Sequence, residues 1–246
     1  MNSGVPEPGR TMPFLQHLEE LRRTILWCLG VFTGGLFITF PLAPAILNLL
    51  REPLARTVIN PGQFLQSIEV GAAFSVSLRI AGWGSLLITS PLMLFFITRF
   101  VFPGLKDAER SAIKKAFCFS LALFVSGVVI AWWTTLPAAL QMMMRMHDWM
   151  GITAIWTVSS YVRFCLGLLI GFGLAFQLPV IVFVLGSLGI VNAKMLAEKR
   201  RHVIVGLLVL AMLLTPPDVI TQLLMAIPLI LLYEVCIIIL KVKQKP

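Results

Sequence analysis

The stretch VIVGLLVLAMLLTPPD, Val203 to Asp218, decides the fold. Its apolar part, Val203 to Leu214, has 12 residues. As a helix that is about 18 Å long, against about 30 Å of bilayer hydrocarbon. Thr215-Pro216-Pro217-Asp218 then stops the helix, and a second apolar run, Val219 to Leu240, follows at once. Two prolines cannot continue a helix. A carboxylate beside hydrocarbon carries a large desolvation cost, so polar groups at that depth line a cavity or a functional site. The pattern predicts a membrane hairpin whose first arm is too short for the bilayer.

The rest of the chain agrees. Of 246 residues, 58% are hydrophobic and 13% charged, with a mean hydropathy of +0.92. That excludes a soluble globular domain and points to an all-α polytopic membrane protein. Six apolar segments are expected: Thr24–Leu42, Ala72–Phe102, Ile113–Leu136, Val158–Leu188, Val203–Leu214 and Val219–Leu240. Strands of a barrel would alternate over about ten residues, and these do not. Met1 to Thr11 is polar and shows no cleavable leader. We read residues 1–246 as a single membrane domain, with a cytoplasmic amphipathic segment 1–23, a six-helix bundle 24–240 and a basic tail 241–246.

Lys and Arg set the orientation. With the N-terminus in the cytoplasm, 15 of the 20 basic residues fall on the cytoplasmic side. Only Arg51, Arg56, Arg79, Arg145 and Arg163 fall on the other, so both termini are expected inside. The net charge of +9 is scattered over short segments, which reads as a topology signal and not as a nucleic-acid surface. Cys28, Cys118, Cys165 and Cys236 lie in apolar runs and are expected to pack, unpaired. No nucleotide-binding loop, His/Cys metal cluster or catalytic constellation is visible, so no cofactor, no metal and no enzymatic activity is expected. Two external loops are expected. Ala43–Gly71 would hold a short helix near Ile46–Leu50. Pro137–Thr157, with Met142-Met143-Met144 and Trp149, would hold a helix lying in the interface.

Several polar residues need a reason. Pro13 to Arg23 forms an amphipathic helix start, with Phe14, Leu18, Leu21 and Ile25 on one stripe and His17, Glu20 and Thr24 on another face. Phe102-Pro103-Gly104 ends the second span, and Glu109 opens the third. Glu109 is either a helix cap or, with Glu20, half of an acidic pair suited to two guanidinium groups. Phe176-Gln177-Leu178-Pro179 puts an amide inside the bilayer, where Gln177 either bridges helices or faces a polar lumen. Gln222 follows Asp218 by one turn, and Glu234 lies three turns further on.

Taken together, His17-Leu18-Glu19-Glu20-Leu21-Arg22, Phe102-Pro103-Gly104-Leu105 with Glu109-Arg110, Phe176-Gln177-Leu178-Pro179 and Leu214-Thr215-Pro216-Pro217-Asp218 with Gln222 resemble the TatC family. Its members are multi-spanning receptors of the twin-arginine protein translocase. The resemblance implies a receptor for twin-arginine signal peptides of folded cargo, and a core translocase subunit driven by the proton-motive force. It implies TatA-type and TatB-type single-span partners, self-association in a larger complex and residence in the bacterial cytoplasmic (inner) membrane. It also implies shortened last two helices and a concave, polar-lined face. Carried over, Glu20 and Glu109 would receive the signal's arginines, with His17, Leu21, Arg22, Phe102 and Pro103 shaping the site. Gln177, Asp218, Gln222, Glu234 and Pro53 would be intramembrane polar or partner-helix contacts. Thr24 stands where many members are basic, and Gln177 where some carry glutamate. The alternative is a secondary transporter or channel for a small solute. The absence of an internal repeat weighs against it.

Overall fold

The computed structural model describes residues 14–56, 64–68, 70–101, 110–187, 191–214 and 219–243. The helices are α1 (Phe14–Thr39), α2 (Ala43–Ala55), α3 (Ala72–Val101), α4 (Arg110–Ile130), α5 (Leu136–Met150), α6 (Val158–Ala175), α7 (Leu178–Ser187), α8 (Ala193–Glu198), α9 (Arg200–Leu214) and α10 (Val219–Lys243). Two short strands, β1 (Leu65–Gln66) and β2 (Trp156–Thr157), pair in parallel, Leu65 opposite Trp156. Five helical stretches among the described residues are long and apolar enough to cross a membrane. With the shorter α9, the chain makes the six expected passes.

The outer and inner helices differ in what covers them. The most apolar 18-residue stretch of the Val158–Val182 span is 67% buried inside the protein, and that of α1 only 6%. α6 is therefore the hub, and α1 is a peripheral helix packed on α3. The core joins Leu50 and Leu54 of α2, Leu136 and Leu140 of α5, most of α6, and Met225, Leu229 and Ile237 of α10. Between membrane helices there is little hydrophobic drive, so close contact of small residues holds them together. A Cβ at Gly127 of α4 would stand 2.8 Å from Phe172 O of α6, and one at Gly173 of α6 would stand 2.6 Å from the Phe124 ring of α4.

Four expectations change. No separate interfacial helix follows Leu136. Ala131–Thr135 is a π-turn, and one helical rod runs from Arg110 to Met150, about 60 Å long. Leu136 N–H bonds to Ala131 O, five residues back, and the widened turn gives the ring of Pro137 room without breaking the helix. The helix expected near Ile46–Leu50 is longer: α2 spans Ala43–Ala55, with Pro53 buried inside it. The fourth span breaks at Phe176-Gln177 into α6 and α7. Finally, shortening is confined to α9, with 15 residues, while α10 has 25.

Thirty residues make about 45 Å of helix in α3, about 15 Å more than the hydrocarbon is thick. Cys165 and Cys236 pack in the core as expected, Cys28 is half-buried, and Cys118 is exposed, facing outward from α4 and not into the bundle.

Candidate functional site

Three helix ends meet at one level of the bundle. Thr39 Oγ1 donates to Ala81 O at 2.8 Å, Ser85 Oγ donates to Phe32 O at 2.7 Å, and the Trp27 and Phe96 rings stack at 5.9 Å. These contacts fix α1 antiparallel to α3. Phe95 and Phe117, ring centroids 5.5 Å apart, fix α3 against α4 in the same way. Glu20 lies seven residues before Trp27, and Arg110 seven residues before Phe117, so each sits about 10 Å beyond its aromatic contact. The last turn of α3 reaches the same level. The segment 102–109, which carries Phe102, Pro103 and Glu109, connects two of these three ends and lies outside the described residues.

Glu20 faces inward there. The half-buried and buried positions described on α1 are Glu20, Thr24, Cys28, Val31, Phe32, Gly35, Leu36 and Thr39, which run along one side of the helix. This is the stripe that packs on α3, and Glu20 heads it. The apolar stripe of Leu18, Leu21 and Ile25 is turned outward, with exposures of 43%, 37% and 56%. In a bilayer the apolar face meets lipid and the polar face meets protein, the reverse of a soluble helix. Arg22 is exposed on another side of α1, so it and Leu21 do not join Glu20. His17 lies in the first turn of α1, and its side chain is outside the described residues, as is Asp218.

The intramembrane polar residues do not share one lumen. Gln177 is buried, and both ends of its amide are engaged by α4: Ser120 Oγ donates to Oε1 at 2.6 Å, and Nε2 donates to Ser120 O at 2.9 Å. Of its two readings, the helix bridge is the one the geometry carries. Gln222 Nε2 donates to Leu208 O of α9 at 3.1 Å. Glu234 pairs with Arg200 of α9 at 2.9 Å, and next to it Tyr233 OH donates to Leu196 O of α8 at 2.8 Å. Twelve residues of helix, about 18 Å, separate Gln222 from Glu234, so Glu234 grips the first residue of the short α9 and Gln222 its middle. At the α2 end of the bundle, Tyr161 OH donates to Leu50 O, and the Arg56 guanidinium lies 5.1 Å from the Trp133 ring centroid. Sequence reasoning missed Ser120, Tyr161 and Tyr233, and read Arg200 only as a topology charge. A hydroxyl within an apolar span was the available signal for the first three.

Comparison with known proteins closes the question of kinship. Residues 16–228 match the family described as TatC, Sec-independent protein translocase protein. A Sec-independent protein translocase protein TatC of Carboxydothermus hydrogenoformans is 36% identical over 233 residues, 94% of this chain and 94% of that one. The TatC of Aquifex aeolicus is 32% identical over 227 residues, covering 92% and 93%. A crystal structure described as the twin arginine translocase receptor TatC superposes with a TM-score of 0.80 at 31% identity, covering 93% of this chain and all of that one. The six-pass bundle and the family match both say the same: this chain belongs to the TatC family of Sec-independent protein translocase proteins.

Proposed function

We propose that this chain is the twin-arginine signal-peptide receptor and core subunit of a translocase that exports folded proteins using the proton-motive force. Glu20, where the ends of α1, α3 and α4 converge, is the observation that carries the reading. A carboxylate at the head of an inward stripe, rather than on the outer face, is placed to meet a ligand entering between the helices. Glu109 supplies the second carboxylate. Two carboxylates accept two guanidinium groups by bidentate, charge-assisted bonds, which lysine cannot copy because it lacks the planar fork. The role is binding and positioning, without chemistry of its own.

The membrane is the bacterial cytoplasmic membrane, with both termini in the cytoplasm, an orientation that the 15 of 20 basic residues on that side support. The site then opens to the compartment in which cargo folds. TatA-type and TatB-type single-span proteins and further copies of the chain complete the machine, and the exposed lipid-facing helices offer them room. The 15-residue α9 spans about 22 Å and thins the bilayer beside it. A solute transporter is not favoured: Gln177, Gln222 and Glu234 are each bound to a neighbouring helix and line no common path.

Binding of a fluorescent twin-arginine signal peptide to the protein in lipid nanodiscs tests the reading. Glu20→Gln and Glu109→Gln should each weaken binding about 10-fold or more, the value of one charged hydrogen-bonding group. Unchanged binding in both variants would overturn it.

A further inference from the structure

Beside the paired strands lies a pocket of about 570 Å³ that signal-peptide recognition at the opposite end of the bundle leaves unused. Its lining includes Met142, Met143, Met146, His147 and Trp156. The first four form two adjacent pairs one turn apart on α5, with Met142–Met146 and Met143–His147 four apart and Met143–Met146 three apart. Residues three and four apart on a helix are neighbours, about 5–6 Å between Cβ atoms. Three flexible thioethers and an imidazole can therefore converge on one point.

His147 is held as a metal ligand is held. Its Nδ1 lies 2.7 Å from Met143 O. A carbonyl only accepts, so Nδ1 carries the proton, and in the neutral ring the lone pair is on Nε2. Ligating histidines are usually fixed by such a bond from the other nitrogen to a backbone carbonyl. The Trp156 ring stands 6.3 Å from the His147 ring, and is itself fixed by Phe64 at 4.8 Å and Tyr161 at 6.5 Å. Among the described residues no carboxylate lines the pocket. Among the described residues no group of three or more His, Cys, Asp and Glu could hold a metal ion. Hard or borderline cations thus lack their preferred ligands here, whereas thioether sulfur with one imidazole suits Cu(I).

We propose that Met142, Met143, Met146 and His147 form a binding site for a soft monovalent metal ion, Cu(I), at the α2 end of the bundle. The site does not depend on the receptor function. No electron transfer is involved: the ion arrives and leaves as Cu(I).

The test uses the full chain in nanodiscs, with Cys28→Ser and Cys118→Ser removing the more accessible thiols. Cu(I) is supplied with ascorbate and competed with a bicinchoninate chelator, and Ag(I) serves as the redox-inert probe. One ion per chain is expected. Ag(I) should shift the ε-methyl NMR signals of Met142, Met143 and Met146 but leave that of Met144, which does not line the pocket. Met143→Leu and His147→Phe should each lower affinity about 10-fold or more, and Met144→Leu should not. The methyl shifts are read on a chain with an intact pocket, so a variant that fails to fold does not blunt the test. No methyl shift, or Cu(I) affinity equal in all three variants, overturns the proposal.

Discussion

Replacing Gln177 with leucine keeps nearly the side-chain volume and removes both bonds to Ser120, at 2.6 and 2.9 Å. Interhelical hydrogen bonds in membranes are worth about 0.6 kcal/mol on average and up to about 1.7. Two short, buried bonds should therefore cost about 1–3 kcal/mol, with little cavity term because the shape is filled. Ser120→Ala removes one bond and leaves Oε1 buried without its donor, costing about 1 kcal/mol. Because both changes act on one pair, the double variant should cost little more than Gln177→Leu alone, a coupling of about 1 kcal/mol. Reversible unfolding in mixed micelles, followed by helical circular dichroism, measures all three. Additive losses, or no loss for Gln177→Leu, would refute the bridge. A neutral Gln177→Leu that nonetheless weakened signal-peptide binding would restore the lumen reading.

Other contacts give further expectations. Arg200 and Glu234 are 44% and 35% exposed, so breaking their pair with Glu234→Gln should cost only about 0.5–1 kcal/mol. The swapped pair Arg200→Glu with Glu234→Arg should recover most of it in the same unfolding assay. Gly127→Ala should destabilise by about 1–3 kcal/mol, since its Cβ would press on Phe172 O and the Phe176 ring. Gly206→Ala, with nothing within 4 Å, should be neutral or stabilising by about 0.5–1 kcal/mol, and the two melting curves report the contrast.

The hydropathy pattern made the passes legible, because each span must satisfy its own backbone bonds and shows as an apolar run. It did not reveal their joints. Pro137 reads as a helix breaker, and only the π-turn at Ala131–Thr135, which has no sequence signal of its own, lets the helix continue to Met150. Gln177 was visible as an amide in lipid, but its partner Ser120 is 57 residues away, and the choice between bridge and lumen needed that pairing. Amphipathicity separated Leu18, Leu21 and Ile25 from Glu20 and Thr24 on α1, as the structure does. Which of the two sets turns toward protein follows from the packing on α3, and Glu20's inward placement came from there. Met142, Met143 and Met146 read as interfacial apolar residues until α5 brought them beside His147 in one pocket.

The most direct test puts the probe beside the carboxylates and not in place of either. A photo-reactive residue at Thr24, one turn beyond Glu20 on the inward stripe, is irradiated in membranes with a twin-arginine signal peptide and with its twin-lysine counterpart. A crosslink to the first that is lost with the second, and lost again in Glu20→Gln, is the expected result. Equal crosslinking to both peptides, or crosslinking that survives Glu20→Gln with Glu109→Gln, would contradict recognition by paired carboxylates.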